Sequence, residues 1–362
     1  MTAETEAVRP LSAIRGQPQA VRVLEALARS GQPTPPLLLH GPEGVGKATA
    51  ARALAAALVC RSPRGADACG RCTGCRRVAE AGAVTRLRAR AAAQAAPEIY
   101  PDVGLVGVPQ GRTRISVLQA RDVIVSLQNA PFELPRRVYV IDPADRMTPS
   151  AANALLKVLE EPPAHGVLVL VSASPWALPV TVRSRCRMVR FGLLARDDLV
   201  AILREARLDD AEIADRVALA GGSAGAALRL DPAREAGRLD AWCELLDGLA
   251  RGVPAGLLAV EAGDRFAGDA GEAEASLAAL LSLLRDVSAA AVGAPVRVVP
   301  DGTARRLAAS LPRIAGPALA RVGAIDDLRS ELHRFNRNPR LAIEGAVLAL
   351  AGLDLERSVL ED

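Results

Sequence analysis

The chain is poor in aromatic residues, with four Phe, two Trp and two Tyr among 362. An all-β sandwich or barrel draws on aromatic and β-branched side chains to fill its pleated faces, so this composition excludes one. The apolar half of the sequence consists largely of Ala and Leu, which favour helices. Long apolar runs are missing too. The longest, such as 54–60 and 167–171, fall far short of the roughly 20 residues that a bilayer-spanning helix needs, and residues 1–10 hold no apolar export core. These absences predict a soluble, cytoplasmic protein with no membrane partner. Strong charge is absent as well. The 45 basic and 41 acidic residues leave +4, too mild and too interspersed to identify a nucleic-acid contact. Histidine is scarce, and His40, His165 and His333 are too scattered to form a metal or catalytic group.

The length allows two or three compact domains. Strand-length apolar runs at 37–39, 103–108, 138–141, 167–171 and 188–191 alternate with helical or looped segments. This alternation predicts an α/β domain over 1–192 with a five-stranded parallel sheet. Thr148 suits an N-cap, Pro149 the first helical position and Pro162-Pro163 a stop, which predicts one helix over 149–161. Beyond 192 the strand-like runs end. Segments 196–206, 211–220 and 226–230, broken at Gly221-Gly222, predict a small helical domain over 193–230. Leu, Ala and Val at helical spacing in 242–249, 275–291 and 341–351 predict a third, all-helical domain over 231–362. The Ala- and Arg-rich segment 79–113, with Arg86, Arg88 and Arg90 in alternation, reads as a solvent-facing loop or helix edge.

Gly41-Pro42-Glu43-Gly44-Val45-Gly46-Lys47 follows a predicted strand and opens a predicted helix, the context of a phosphate loop. Glycines let successive backbone N–H groups turn toward phosphate oxygens, the helix start adds positive potential, and Lys47 reaches the outer phosphates. The next position, where a Ser or Thr hydroxyl would bind Mg²⁺, is Ala48. Thr49 comes one residue late and points about 100° away on a helix. The loop is compatible with a nucleotide, but metal-assisted hydrolysis lacks its hydroxyl. The third strand runs into Asp142-Pro143-Ala144-Asp145. Asp142 stands where a magnesium carboxylate belongs, and Pro143 replaces the Glu that would activate water. A role for Asp142 as a plain strand-end cap stays equally open.

Four of the six cysteines, Cys60, Cys69, Cys72 and Cys75, follow the spacing C-x8-C-x2-C-x2-C, with Gly65, Gly70 and Gly74 between them. In a chain without an export signal this pattern favours a metal over disulfides, and four thiolates with no nearby His predict a closed, structural zinc site.

Asn153-Ala154-Leu155-Leu156-Lys157-Val158-Leu159-Glu160-Glu161-Pro162-Pro163, followed by Ser184-Arg185-Cys186, resembles the clamp-loader branch of the AAA+ ATPases. The cysteines after the phosphate-loop helix, Gly16-Gln17 near the start and Asn336-Arg337-Asn338-Pro339-Arg340-Leu341 near the end fit the same family. The resemblance implies a RecA-like AAA+ domain, a helical lid and a helical collar that oligomerises. It further implies a loader in which gamma or tau motor subunits, a delta subunit, the sliding clamp and primer–template DNA are the partners. Motor subunits of that family keep Ser/Thr after the Lys, Glu after the strand-end Asp, and Arg in the lid's sensor-2 motif. This chain has Ala48, Pro143 and Gly225 there, which implies the non-hydrolysing stator of the loader. ATP and Mg²⁺ are then doubtful cofactors. Arg185 would act as an arginine finger on a neighbour's nucleotide, Ser172 falls at the sensor-1 position, and Cys186 reads as a packed thiol. Two rivals stay open: an active motor using Thr49 and Asp145 in shifted roles, and a zinc-dependent DNA-binding module at 60–75.

Overall fold

The structure, a computed structural model, describes residues 8–31, 33–88, 102–109, 111–296, 298–310, 318–334 and 338–353. It divides into two compact units. The first runs to Arg207 and includes Gly222–Ala226; the second comprises Leu208–Gly221 and the chain from Ala227 onward.

The first unit is built on five parallel strands: β1 (Leu37–His40), β2 (Val103–Val106), β3 (Arg137–Ile141), β4 (Gly166–Ser172) and β5 (Arg187–Arg190), in the spatial order β2-β3-β4-β1-β5. The register pairs Leu39 with Val171 and Val189, and Val140 with Val169. Alternate residues feed two cores. Leu37, Leu39, Val138, Val140, Val169 and Val171 pack with α1 (Pro18–Arg29) and α2 (Lys47–Val59). Leu38, Tyr139, Ile141, Leu168 and Leu170 face the opposite way. There they meet α4 (Val117–Gln128), α5 (Pro149–Ala154), α6 (Leu156–Glu160) and α7 (Val180–Arg183). The central strands are buried on both faces, as parallel strands between helical layers must be. This is the five-stranded parallel α/β architecture expected from the strand-length runs. Helix α3 (Thr73–Arg88) continues from the cysteine module.

The helix expected over 149–161 is two helices. Thr148 Oγ1 accepts from Ala151 N, as an N-cap should, but the Leu155 N–H turns to Asn153 O and interrupts the ladder between α5 and α6. Leu155 itself is fully buried against the sheet, so packing overrides the local helical pattern. Of the segment 193–230, α8 (Arg196–Glu205) and Gly222–Ala226 fall in the first unit, while α9 (Asp210–Leu219) falls in the second; α10 (Ala224–Arg229) begins in the former and ends in the latter.

Every regular element described in the second unit is a helix. The unit's helices are α9, α11 (Pro232–Ala250), α12 (Ala255–Phe266), α13 (Ala270–Ala291), α14 (Asp301–Ser310), α15 (Ala318–Arg334) and α16 (Pro339–Leu350). Its core holds one of the chain's two tryptophans. Trp242 stacks on Phe266 at 4.5 Å between ring centroids and donates its indole N–H to Ser276 O at 2.9 Å, so the buried polar atom is satisfied. Asn338 caps α16 through its side-chain oxygen, and Arg340 pairs with Asp264 and Glu344. Asn336, Arg337 and Arg90 lie outside the described residues. Among the described residues no helix is long and apolar enough to cross a membrane.

Candidate functional site

The register sets the carboxyl ends of β1 and β4 side by side, with His40 opposite Ser172, and Ile141 of β3 opposite Leu170. Loops leaving parallel strands at this edge are where such sheets bind ligands. The phosphate loop leaves β1, Asp142 follows β3, and Ser172 ends β4.

Gly46, with φ +100°, turns the loop into α2. Lys47 is 7% exposed, and its Nζ donates to the carbonyl oxygens of Gly41, at 2.7 Å, and Pro42. Burial lowers its pKa, opposed by the charges of Asp142, Glu43 and Asp145. The following carbonyls are held as well. Ser223 Oγ donates to Glu43 O at 2.9 Å, Gly225 N to Gly44 O at 2.8 Å, and Gln17 Nε2 to Val45 O at 3.3 Å. Gln17 also clamps Gly192 through both its amide atoms. Gly44 has φ +73°, and a Cβ there would stand 2.2 Å from Ser223 Oγ. The close approach of the Gly222–Ala226 segment therefore depends on glycine at 44.

At the end of β3, Asp142 is pushed up to about 6 by burial, a rise that Lys47 moderates and Asp145 increases. Asp145 Oδ1 accepts the Ser172 hydroxyl at 2.6 Å and the Ala173 N–H at 3.1 Å. Ser172 is fully buried, and this bond is what its hydroxyl makes. Pro143 offers no acid–base group, and Ala48 no hydroxyl. The structure brings Gly41, Gly44, Gly46, Lys47, Asp142 and Ser172 to one edge of the sheet, together with Asp145.

Arg185 lies two residues beyond α7. Its Nε donates to Glu160 Oε1 at 2.7 Å, its Nη2 to the same oxygen, and its Nη1 to Thr181 O at 2.9 Å. Cys186 packs against the core cluster of the same face, and burial pushes its thiol up to about 12. A nucleophilic thiol needs the opposite shift, so the packing role holds.

Cys60 ends α2, and Cys69, Cys72 and Cys75 lie in the turn and helix start that follow. The four Sγ atoms all fall within 4.8 Å of one another. Three separations are 3.5 Å for Cys72–Cys75 and 3.9 Å for Cys69–Cys75 and Cys60–Cys72. Zn–S bonds of about 2.3 Å in a tetrahedron place sulfurs about 3.8 Å apart, so the donor set and its spacing fit a four-thiolate metal centre. Backbone N–H groups of Arg71 and Cys72 pull Cys69 down to about 6, toward the thiolate a metal requires, while burial pushes Cys60 and Cys75 up.

A family model described as DNA polymerase III, delta subunit, matches residues 16–194. The DNA polymerase III subunit delta' of Pseudomonas aeruginosa is 35% identical over 195 residues, 53% of this chain and 54% of that protein. Its Escherichia coli counterpart is 32% identical over 209 residues, 57% of each. Through residues 16–194 the chain belongs to the clamp-loader family. Another clamp-loader relative, the DNA polymerase III subunit tau of Salmonella typhimurium, is 36% identical over 160 residues, 44% of this chain and 22% of that protein. The chain thus spans about half the length of its delta' relatives and less of tau. Among solved structures, a gamma subunit-related protein of Thermotoga maritima aligns over 91% of this chain and 98% of its own, at 17% identity and TM-score 0.39. The RuvB branch-migration motor of the same organism aligns over 98% and 88%, at 16% and 0.43.

Sequence reasoning placed the clamp-loader motifs but left three contacts unseen. Gln17 was legible only as part of a motif, Ser223 only as a lid residue, and Glu160 only as a letter in a helix signature. Each acts on a partner 25 to 180 residues away, and the chain carries no local signal of such a pairing.

Proposed function

We propose that this chain is the delta' subunit of a DNA polymerase III clamp loader, a stator that completes the ring without hydrolysing ATP. Its partners are the gamma or tau motor subunits, delta, the sliding clamp and, through the assembled loader, primer–template DNA. The observation that carries this reading is Ala48 directly after the phosphate-loop Lys47, joined by Pro143 and Gly225 at two further positions where a motor needs Glu and Arg. The geometry supports it. Asp145, the carboxylate that a motor would use in a shifted role, is engaged by Ser172, and Lys47 Nζ is engaged by the carbonyl oxygens of Gly41 and Pro42. Arg185 is the residue that acts, reaching the γ-phosphate held by the adjacent motor, where a trans arginine typically contributes about 10³-fold or more.

The cysteine cluster holds a structural zinc in this reading. Zinc would supply rigidity there, four thiolates leaving no open position for chemistry. The collar at 231–362, which follows the lid at 193–230, provides oligomerisation, and the site of action is the cytoplasm.

The tau relative, 36% identical over 160 residues, favours a second reading, an active motor. The two separate on one experiment. Steady ATP hydrolysis by the isolated chain, abolished by Lys47→Ala, would establish the motor. No hydrolysis by the isolated chain, with clamp loading on primed DNA that requires its presence alongside the motor and delta subunits, is what the stator reading expects.

A further inference from the structure

The contact between Glu160 and Arg185 is exposed, with side-chain exposures of 49% and 33%. A pair so open to solvent contributes little to folding. What it does fix is direction. Nε and Nη2, the side edge of the guanidinium fork, both donate to one oxygen, Glu160 Oε1, and Nη1 donates to Thr181 O. Beyond these, the outer edge formed by Nη1 and Nη2 has one further approach among the described residues, Nη1 to Ser184 Oγ at 3.5 Å. Bidentate recognition of a phosphate needs such a planar pair of donors.

Both ends of the contact stand on fixed elements. Glu160 closes α6, whose Val158 and Leu159 are buried against the sheet, and Arg185 follows α7, whose Val182 is fully buried. The neighbouring Arg183 does not compete for Glu160. Its guanidinium carbon lies 4.3 Å from the centre of the Trp176 ring.

We infer that Glu160 is a positioning residue for Arg185, holding the side edge of the guanidinium so that its end faces the phosphate of a nucleotide bound by a neighbouring subunit. This rests on the reading of Arg185 as a finger acting in trans. An unheld arginine samples many rotamers and must be ordered during the reaction; a held one arrives oriented. Glu160 touches no reacting atom, and its whole effect passes through Arg185.

The test is DNA- and clamp-stimulated ATP hydrolysis by a loader reconstituted from the full chain with its motor and delta subunits. Wild type is compared with Glu160→Ala, Glu160→Gln, Arg185→Ala and the double variant Glu160→Ala/Arg185→Ala. Glu160→Ala is expected to lower kcat on the order of tenfold, with KM for ATP unchanged. Because one oxygen does the accepting, Glu160→Gln should recover most of the rate. Adding Glu160→Ala to Arg185→Ala should change nothing further. A full rate in Glu160→Ala, a loss that multiplies that of Arg185→Ala, or failure of Glu160→Ala to assemble would each overturn the inference while leaving the finger standing. An unchanged rate in Arg185→Ala itself would remove the finger, and the role of Glu160 with it.

Discussion

Ser172, at the end of β4, gives its buried hydroxyl to Asp145 Oδ1 at 2.6 Å, and so joins the loop after β3 to the strand beside it. Asp145 also takes the Ala173 N–H, so one carboxylate oxygen organises two residues of the neighbouring strand end. Ser172→Ala should cost about 1.5–3 kcal/mol, the value of a hydrogen bond to a charged group. Chemical denaturation of the isolated chain measures it, and a change within error of zero would mean that the bond is replaced by solvent.

Asp142 carries the opposite kind of strain. Burial pushes its pKa up to about 6, so the folded state holds a proton more tightly than the unfolded chain. Stability contributed by that proton falls as pH rises from the unfolded carboxylate value through 6. At pH 7 the cost is fully expressed, and Asp142→Asn should stabilise the protein by about 1–2 kcal/mol. Below about pH 4, where both states are protonated, the two proteins should converge. Equal stability at pH 7, or a difference that grows in acid, contradicts this.

Asp102 behaves in reverse. It is 3% exposed and accepts from the N–H groups of Phe132, Glu133 and Leu134, with Arg137 Nε at 3.3 Å. Burial alone would raise its pKa, but these donors and the Arg137 charge outweigh it and hold the carboxyl below its usual range. Its stabilisation is therefore present above the unfolded carboxylate value and is lost as pH falls through the folded one. Asp102→Asn should cost about 2 kcal/mol at neutral pH, and the deficit should shrink in acid. Denaturation curves at pH 7 and pH 3 decide it.

The cysteine module gives a metal prediction. Elemental analysis should find one zinc per chain, released by a strong chelator, and Cys72→Ser should abolish it. Losing a structural metal is among the larger single effects on stability, about 4 kcal/mol or more. A chain that folds equally well without metal, or one with Cys60, Cys69, Cys72 and Cys75 intact and no zinc, goes against a structural site.

Much of this was legible in the sequence because its signals are local. The five strands are short apolar runs between turns, the phosphate loop is seven consecutive residues, and the cysteines lie within 16. The break at Leu155 was not legible, because Thr148, Pro149 and Pro162 mark the ends of a helix and say nothing of the sheet that buries its middle. The Ser172–Asp145 bond was out of reach for a related reason. It depends on β3 and β4 lying side by side, which spacing along the chain does not state. The same holds for Ser223 on Glu43, 180 residues apart in sequence.

The central claim is that the chain acts through Arg185 on a neighbour's nucleotide. The most direct measurement is clamp- and DNA-stimulated ATP hydrolysis by the reconstituted loader, wild type against Arg185→Ala, with assembly verified by gel filtration. The account predicts an intact complex and a fall of about 10³-fold at the motor site that Arg185 faces. An intact complex hydrolysing ATP at the wild-type rate would contradict it.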